Sequence, residues 1–271
     1  MSTIRSFALV LCTVIVVLAG SPTSAADLVD APSPPAPAPY IEPAGWQATV
    51  AAYVWGAGMD GWVGVLGLPP VDVDISFIDI LDHLDFAAMA VGQVRNERFG
   101  LFADLVYVKI SGAAATPRGL IADKAGFGQQ IAITTLAGTY DFSRWERLQL
   151  QAMAGARIWS VDTSLNLSGG RISVGRSLRR EQQETWVDPL IGLQARYDLD
   201  DRWFLTGWGM ASGFGAASDF GWDVLGAIGY EINDRFALAA GYRGAAVDYS
   251  NDGFVWDVVM HGPIIGGVIR F

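Results

Sequence analysis

The chain has 271 residues, 17% of them charged, and a formal net charge of −10. That length fits one large or two small domains, and the acidity argues against general nucleic-acid binding, which needs a basic face. Glycine (32) and tryptophan (10) are frequent; Gly keeps strands slim where side chains face each other, and Trp favours a membrane–water boundary.

Residues 1–26 read as an export signal. Arg5 is the positive start, residues 7–18 are the apolar run, and Thr23-Ser24-Ala25-Ala26 supplies small residues for cleavage near Ala26. The apolar run is shorter than the ~20 residues a spanning helix needs. No cysteine follows Leu18-Ala19-Gly20, which argues against a lipoprotein signal. Cys12, the only cysteine, departs with the signal, so the mature chain is expected to carry no internal disulfide. Residues 27–45 read as a Pro/Ala-rich periplasmic linker, extended or polyproline-like.

From Trp46 onward, strand signals alternate with turn signals. Strands are predicted at 46–58, 85–96, 98–111, 129–142, 147–162, 183–198, 202–212, 218–232, 235–248 and 254–271. Short polar turns at 96–98, 143–146, 198–201 and 233–235 alternate with longer connections at 59–84, 112–128, 163–182, 213–217 and 249–253. Short turns on one side and longer loops on the other is the pattern of an outer-membrane barrel with its short side in the periplasm. Later in the chain, no apolar run is long enough for a transmembrane helix, so a membrane-spanning form must be a closed barrel. The predicted fold is therefore an all-β transmembrane antiparallel up-and-down barrel of ten strands, with eight the alternative, over residues 46–271.

The strand faces fit this reading. Leu148, Leu150, Ala152, Ala154, Ala156 and Ile158 share one face, opposite Arg147, Gln149, Gln151 and Arg157. A membrane barrel turns such an apolar face outward and keeps polar groups in the lumen. Trp46, Phe99, Phe142, Trp145, Trp203, Tyr230, Phe236 and Phe271 fall near strand ends and form a candidate aromatic girdle. The same register predicts lumen charges at Arg95, Asp104, Arg157, Asp188, Arg196, Asp223, Glu231, Arg243 and Asp257. Both signs occur, which favours ion pairs filling a narrow or plugged interior over a broad diffusion pore.

Within the first long loop, Phe77, Ile78, Leu81 and Leu84 have near-helical spacing and predict a short amphipathic helix capped by Asp74 or Ser76. Asp72, Asp74, Asp79, Asp82 and Asp85 could attract a divalent cation but lack a Ca²⁺-loop spacing. His83 and His261 are the only histidines. Asp257 and His261 share a strand face, yet four residues of strand is ~13 Å, too far for a hydrogen bond. No nucleophile elbow, zinc cluster or phosphate-binding glycine loop appears, so no cofactor or metal is expected.

Five stretches resemble a group of largely uncharacterised proteobacterial outer-membrane β-barrel proteins: VDVDISFIDILDHLDF (71–86), RFGLFADLVYVKISG (98–112), DDRW (200–203), GYR (241–243) and the closing RF. More broadly, the chain is similar to small barrels of the OmpA, OmpX and opacity type. The resemblance implies a cell outer-membrane location in a Gram-negative envelope. It implies that Phe271 is an assembly signal read by the outer-membrane assembly machinery, and that outer-membrane lipid and lipopolysaccharide surround the barrel. It says little about activity. The expected function is a non-enzymatic structural or surface-interaction role. The alternatives are a narrow porin-like channel for small polar solutes or ions and an outer-membrane hydrolase using the Asp257/His261 or Asp82/His83 region.

Overall fold

The computed structural model describes residues 45–115, 124–145, 147–168 and 178–271; the expected signal and all but the last residue of the expected linker lie outside them. The strands are β1 (Trp46–Trp55), β2 (Gly58–Gly64), β3 (Val71–Ile75), β4 (Leu84–Asn96), β5 (Phe99–Ala115), β6 (Lys124–Arg144), β7 (Leu148–Ser168), β8 (Leu178–Asp198), β9 (Trp203–Ser212), β10 (Phe220–Glu231), β11 (Phe236–Asn251) and β12 (Phe254–Arg270). A single short helix among the described residues, α1 (Phe77–Asp82), lies between β3 and β4. Neighbouring strands pair antiparallel, and β1 closes the ring by pairing with both β4 and β12. β1 and β2 follow one another along β12 and form one bent stave, so the barrel has ten. This is the ten-strand antiparallel barrel that the alternation predicts.

The break between β1 and β2 has a chemical cause. Pro263 of β12 stands at that level and has no N–H to offer the ladder; its carbonyl accepts from Gly56 N–H at 2.8 Å. β12 therefore pairs with β1 through Ile264–Arg270 and with β2 through Val255–His261. A second proline has a similar effect. Pro189 of β8 lies just beyond the last β8–β9 pair, Leu190↔Ser212, and its carbonyl accepts from Gly213 N–H at 3.1 Å. β9 ends there, whereas β6, β7 and β8 each run 21 residues.

Side-chain alternation sets the height of an apolar outward band. On β5, Phe99, Leu101, Ala103, Leu105 and Tyr107 face outward before Lys109 and Ser111. On β7 the outward row runs from Leu148 to Ile158 and then turns polar at Ser160 and Asp162. Each apolar row covers about as many residues as a tilted strand needs to cross a bilayer, ~9–11. The strands continue past this band through stretches of small and polar residues in which the apolar alternation gives out. That explains why the sequence pattern at 112–115, 124–128, 163–168 and 178–182 reads as loop although the backbone there is strand. Every aromatic of the candidate girdle lies at or beside the end with the short turns, and Phe99–Tyr140 and Trp203–Tyr230 are in ring contact there.

The first long connection is more ordered than its sequence pattern suggests. It holds the β2–β3 hairpin, whose Val63, Val65, Val73 and Ile75 pack on the apolar cluster at the long-loop end of the lumen. The Leu66 N–H at its tip donates to Gln182 of β8, across the mouth of the barrel. α1 then starts from a capping box. Ser76 Oγ accepts from Asp79 N–H at 3.2 Å, and the Asp79 carboxylate accepts from Ser76 N–H at 3.2 Å. Ser76, rather than Asp74, is the cap. The packed face differs from the predicted set of Phe77, Ile78, Leu81 and Leu84. Ile78 and Leu81 are 60% and 48% exposed, Phe77 and Ile80 are half-buried, and Leu84 already belongs to β4. The helix is too short to carry a face that long, and the Phe77 ring lies beside Gly56 at the β1–β2 break.

Candidate functional site

The lumen holds the groups most able to do chemistry, and strand parity places them. At mid-height, Arg243 of β11 is 1% exposed. Its Nη2 donates to Asp104 Oδ2 and Asp223 Oδ2, both at 2.7 Å, and its Nη1 donates to Tyr53 Oη at 2.8 Å. The Tyr53 hydroxyl donates in turn to Asp104 Oδ1 at 2.6 Å. Arg157 Nη2 reaches the same Asp223 Oδ2 at 2.8 Å, and its Nε donates to Thr135 Oγ1 at 3.0 Å. Trp208 Nε1 donates to Asp223 Oδ1 at 2.8 Å. The Arg243 guanidinium also lies 4.8 Å from the Trp55 ring centre and 5.4 Å from that of Trp208.

Two arginines and two aspartates make this network neutral in formal charge. Its members come from β1, β5, β6, β7, β9, β10 and β11, so it ties most of the wall together. Desolvating four ions is costly unless each is paired and hydrogen-bonded, and here each is. The chemistry on offer is structural: both carboxylates are engaged by guanidinium, phenol or indole donors.

Above the network, toward the long-loop end, the lumen is apolar. Trp186 stacks on Tyr249 with ring centres 4.0 Å apart and on Trp159 at 5.7 Å, and Phe254 packs edge-on against Trp186. Below it, Phe102, Ala137, Met153, Leu190 and Met210 form a second apolar layer. At the short-turn end a more open ion cluster follows. Arg196 pairs with Glu231 at 2.6 Å and Asp198 at 2.8 Å, Arg270 pairs with Glu231 at 2.8 Å, and Phe204 lies under Arg196.

Of the nine predicted lumen charges, Asp104, Arg157, Asp223 and Arg243 meet in the central network, and Arg196 and Glu231 meet in the lower cluster. Asp188 is buried and stands apart. It accepts from Ser218 N–H at 2.8 Å and Ser218 Oγ at 2.6 Å, clamping the short β9–β10 connection. Arg95 faces inward and donates to Gln47 at 2.7 Å. Asp257 is a correction: it faces outward. β12 turns Phe254, Trp256, Val258 and Met260 into the lumen, so odd-numbered Asp257 shares the outer face with Phe271 and sits opposite Asp248 of β11.

The residues behind the hydrolase alternative do not assemble. His261 faces outward, with its Nδ1 2.6 Å from the Tyr242 hydroxyl and its Nε2 3.4 Å from Asp60 rather than Asp257. His83 Nδ1 lies 2.9 Å from the Asp79 carbonyl at the end of α1. Asp72 and Asp74 are exposed on β3, and Asp85 accepts from Ser111 at 2.9 Å. No group of three or more acidic, histidine or cysteine side chains among the described residues could hold a metal ion. Sequence reading missed Tyr53, Trp208 and Thr135 as partners of the ions. Each is inward by the parity of its own strand, as Asp104 and Arg243 are by the parity of theirs, and that is the signal that could have found them.

No family model matches the chain, and no curated protein matches it. Among solved structures, the outer-membrane protease OmpT from Escherichia coli aligns with a TM-score of 0.51 at 13% identity, over 83% of this chain and 97% of that one. Neisserial surface protein A matches with a TM-score of 0.36 at 14% identity, over 83% and 97% of the two chains. Ail, the attachment invasion locus protein of Yersinia pestis, matches with a TM-score of 0.34 at 13% identity, over 84% and 99%. The fold is that of an outer-membrane β-barrel. At these identities the likeness reaches the fold alone.

Proposed function

We propose that this chain is an integral outer-membrane protein of closed lumen, with a structural or surface-interaction role and no enzymatic one. Its finer kinship is with the small barrels of the OmpA, OmpX and opacity type. The supporting observation is the central network of Tyr53, Asp104, Arg157, Asp223 and Arg243, which crosses the lumen between two apolar layers. A conducting pathway would need water beside these side chains, and their polar atoms face one another instead. The outward apolar band supports the membrane setting, and strands continuing beyond it offer a raised β-surface for contact with other molecules.

Proteoliposomes carrying the refolded barrel test this reading by osmotic swelling in small sugars and amino acids. The expected result is the rate of protein-free vesicles, with heat-modifiable migration showing that the barrel is folded. Rapid swelling by folded protein would make the porin-like alternative correct.

A further inference from the structure

The outward band is not smooth. Between β8 and β11 it is indented by a groove of about 550 Å³, within the ~300–1,000 Å³ range of small-molecule sites. Its floor is Ala195, Gly207, Gly226 and Ala240, and Tyr197 and Tyr242 stand at its sides. The register explains the floor, because Ala195, Gly207 and Gly226 are direct cross-strand partners and form a row without bulk. The groove opens on the apolar band, just above the aromatic girdle residues Trp203 and Tyr230 of the short-turn end. Beneath it lie the β8–β9 and β10–β11 turns.

We propose that this groove holds one acyl chain of a zwitterionic glycerophospholipid, with the headgroup resting on those two turns; the inference depends on the membrane reading above. Three observations carry it. The groove is continuous with the apolar band, so acyl chains are the medium that meets it. A depression left unfilled forfeits dispersion contacts along its whole lining, and a flexible chain can follow it, whereas a second convex barrel would bridge it. The turns below carry both signs of charge. Arg202, donating to the Tyr230 hydroxyl at 2.9 Å, and Arg235 are placed for a phosphate. Asp201 and Asp234 are placed for an ammonium, beside Asp200, which accepts from Arg202 and Trp203 N–H, both at 2.8 Å. That mixture suits phosphatidylethanolamine better than an anionic lipid.

The test uses vesicles of equal phosphatidylethanolamine and phosphatidylglycerol, extraction into mild detergent, and native mass spectrometry of the retained lipid. Wild-type protein is expected to keep one phosphatidylethanolamine. Gly226→Leu fills the floor, and nothing lies within 4 Å of the Cβ it adds. It should lower retention about tenfold, the loss of ~1.4 kcal/mol of chain contact. Ala240→Leu should act in the same direction. Gly267→Leu adds bulk to the same outward face on β12, also with nothing within 4 Å of its Cβ, and should leave retention unchanged. Equal retention by all four proteins, selection of phosphatidylglycerol, or a dimer that Gly226→Leu dissolves would each overturn the proposal. Flotation of the protein with the vesicles separates the two layers of inference. Protein that floats without retaining lipid contradicts the groove alone, and protein that does not float contradicts the membrane reading itself.

Discussion

Two ion clusters in one lumen show how burial changes the worth of a charge. The central network is almost fully buried, whereas Arg196 and Glu231 at the short-turn end are 28% and 23% exposed. The residue types and distances are alike. What differs is the solvent available when a partner is lost. In the centre, an orphaned carboxylate has no water to turn to; at the rim it does. The lower cluster can therefore adapt, while the central one fixes which strands stand opposite each other.

Substitutions can break that comparison, and the largest effect is expected at Arg243. Arg243→Ala leaves Asp104 and Asp223 buried short of a counter-charge and should cost about 3–5 kcal/mol, read as a lower urea midpoint of unfolding in detergent micelles. Trp186→Ala removes the ring between Tyr249 and Trp159 and should cost about 3 kcal/mol, at the low end for a buried aromatic, by the same midpoint. Ser218→Ala strips Asp188 of a donor and should cost about 1–2 kcal/mol, with faster proteolysis in the β9–β10 connection. Glu231→Gln, at the rim, should cost no more than about 1 kcal/mol; a loss equal to that of Arg243→Ala would erase the distinction between the clusters.

The smallest effect concerns pH. Bonds from the Ser76 hydroxyl and N–H hold the Asp79 carboxyl below its ordinary value. A lowered carboxyl pKa means stability that is fully present above the ordinary value and is lost as pH falls through the folded one. Acidification should therefore fray α1 while the barrel stays closed. Protection from hydrogen exchange at Asp79 and Ile80, taken relative to the unstructured chain at each pH, should fall as the pH drops through that value, and Asp79→Asn should flatten the response.

Alternation made much of this legible. The row Leu148–Ile158 reports a period of two whatever surrounds it, and its outward side follows from Gln149, Gln151 and Arg157 opposite. Asp104, Arg157, Asp223 and Arg243 could be assigned to the lumen because parity alone decides it. Asp257 was misassigned because β12 is apolar on both faces near Val258–Val259, so no polar row marks its lumen side; the odd parity it shares with Phe271 is what puts it outside. The β2–β3 hairpin was hidden for a different reason. Its pairing partner is β12, almost two hundred residues away, and no local pattern encodes such a contact. Nor could spacing show that Asp188 clamps a loop while Asp223 binds arginines, since both are inward aspartates near a Trp.

The central claim is that the lumen is closed by its own side chains, with β3 and α1 only lying over them. Single-channel recording in planar bilayers tests it most directly, using wild-type protein, a form in which residues 66–82 are replaced by a short Gly/Ser link, and Arg243→Ala, each shown to be folded by heat-modifiable migration. Silence from the first two and flickering conductance from Arg243→Ala is the predicted result. Steady steps from wild type, or steps that appear as soon as β3 and α1 are gone, would contradict it.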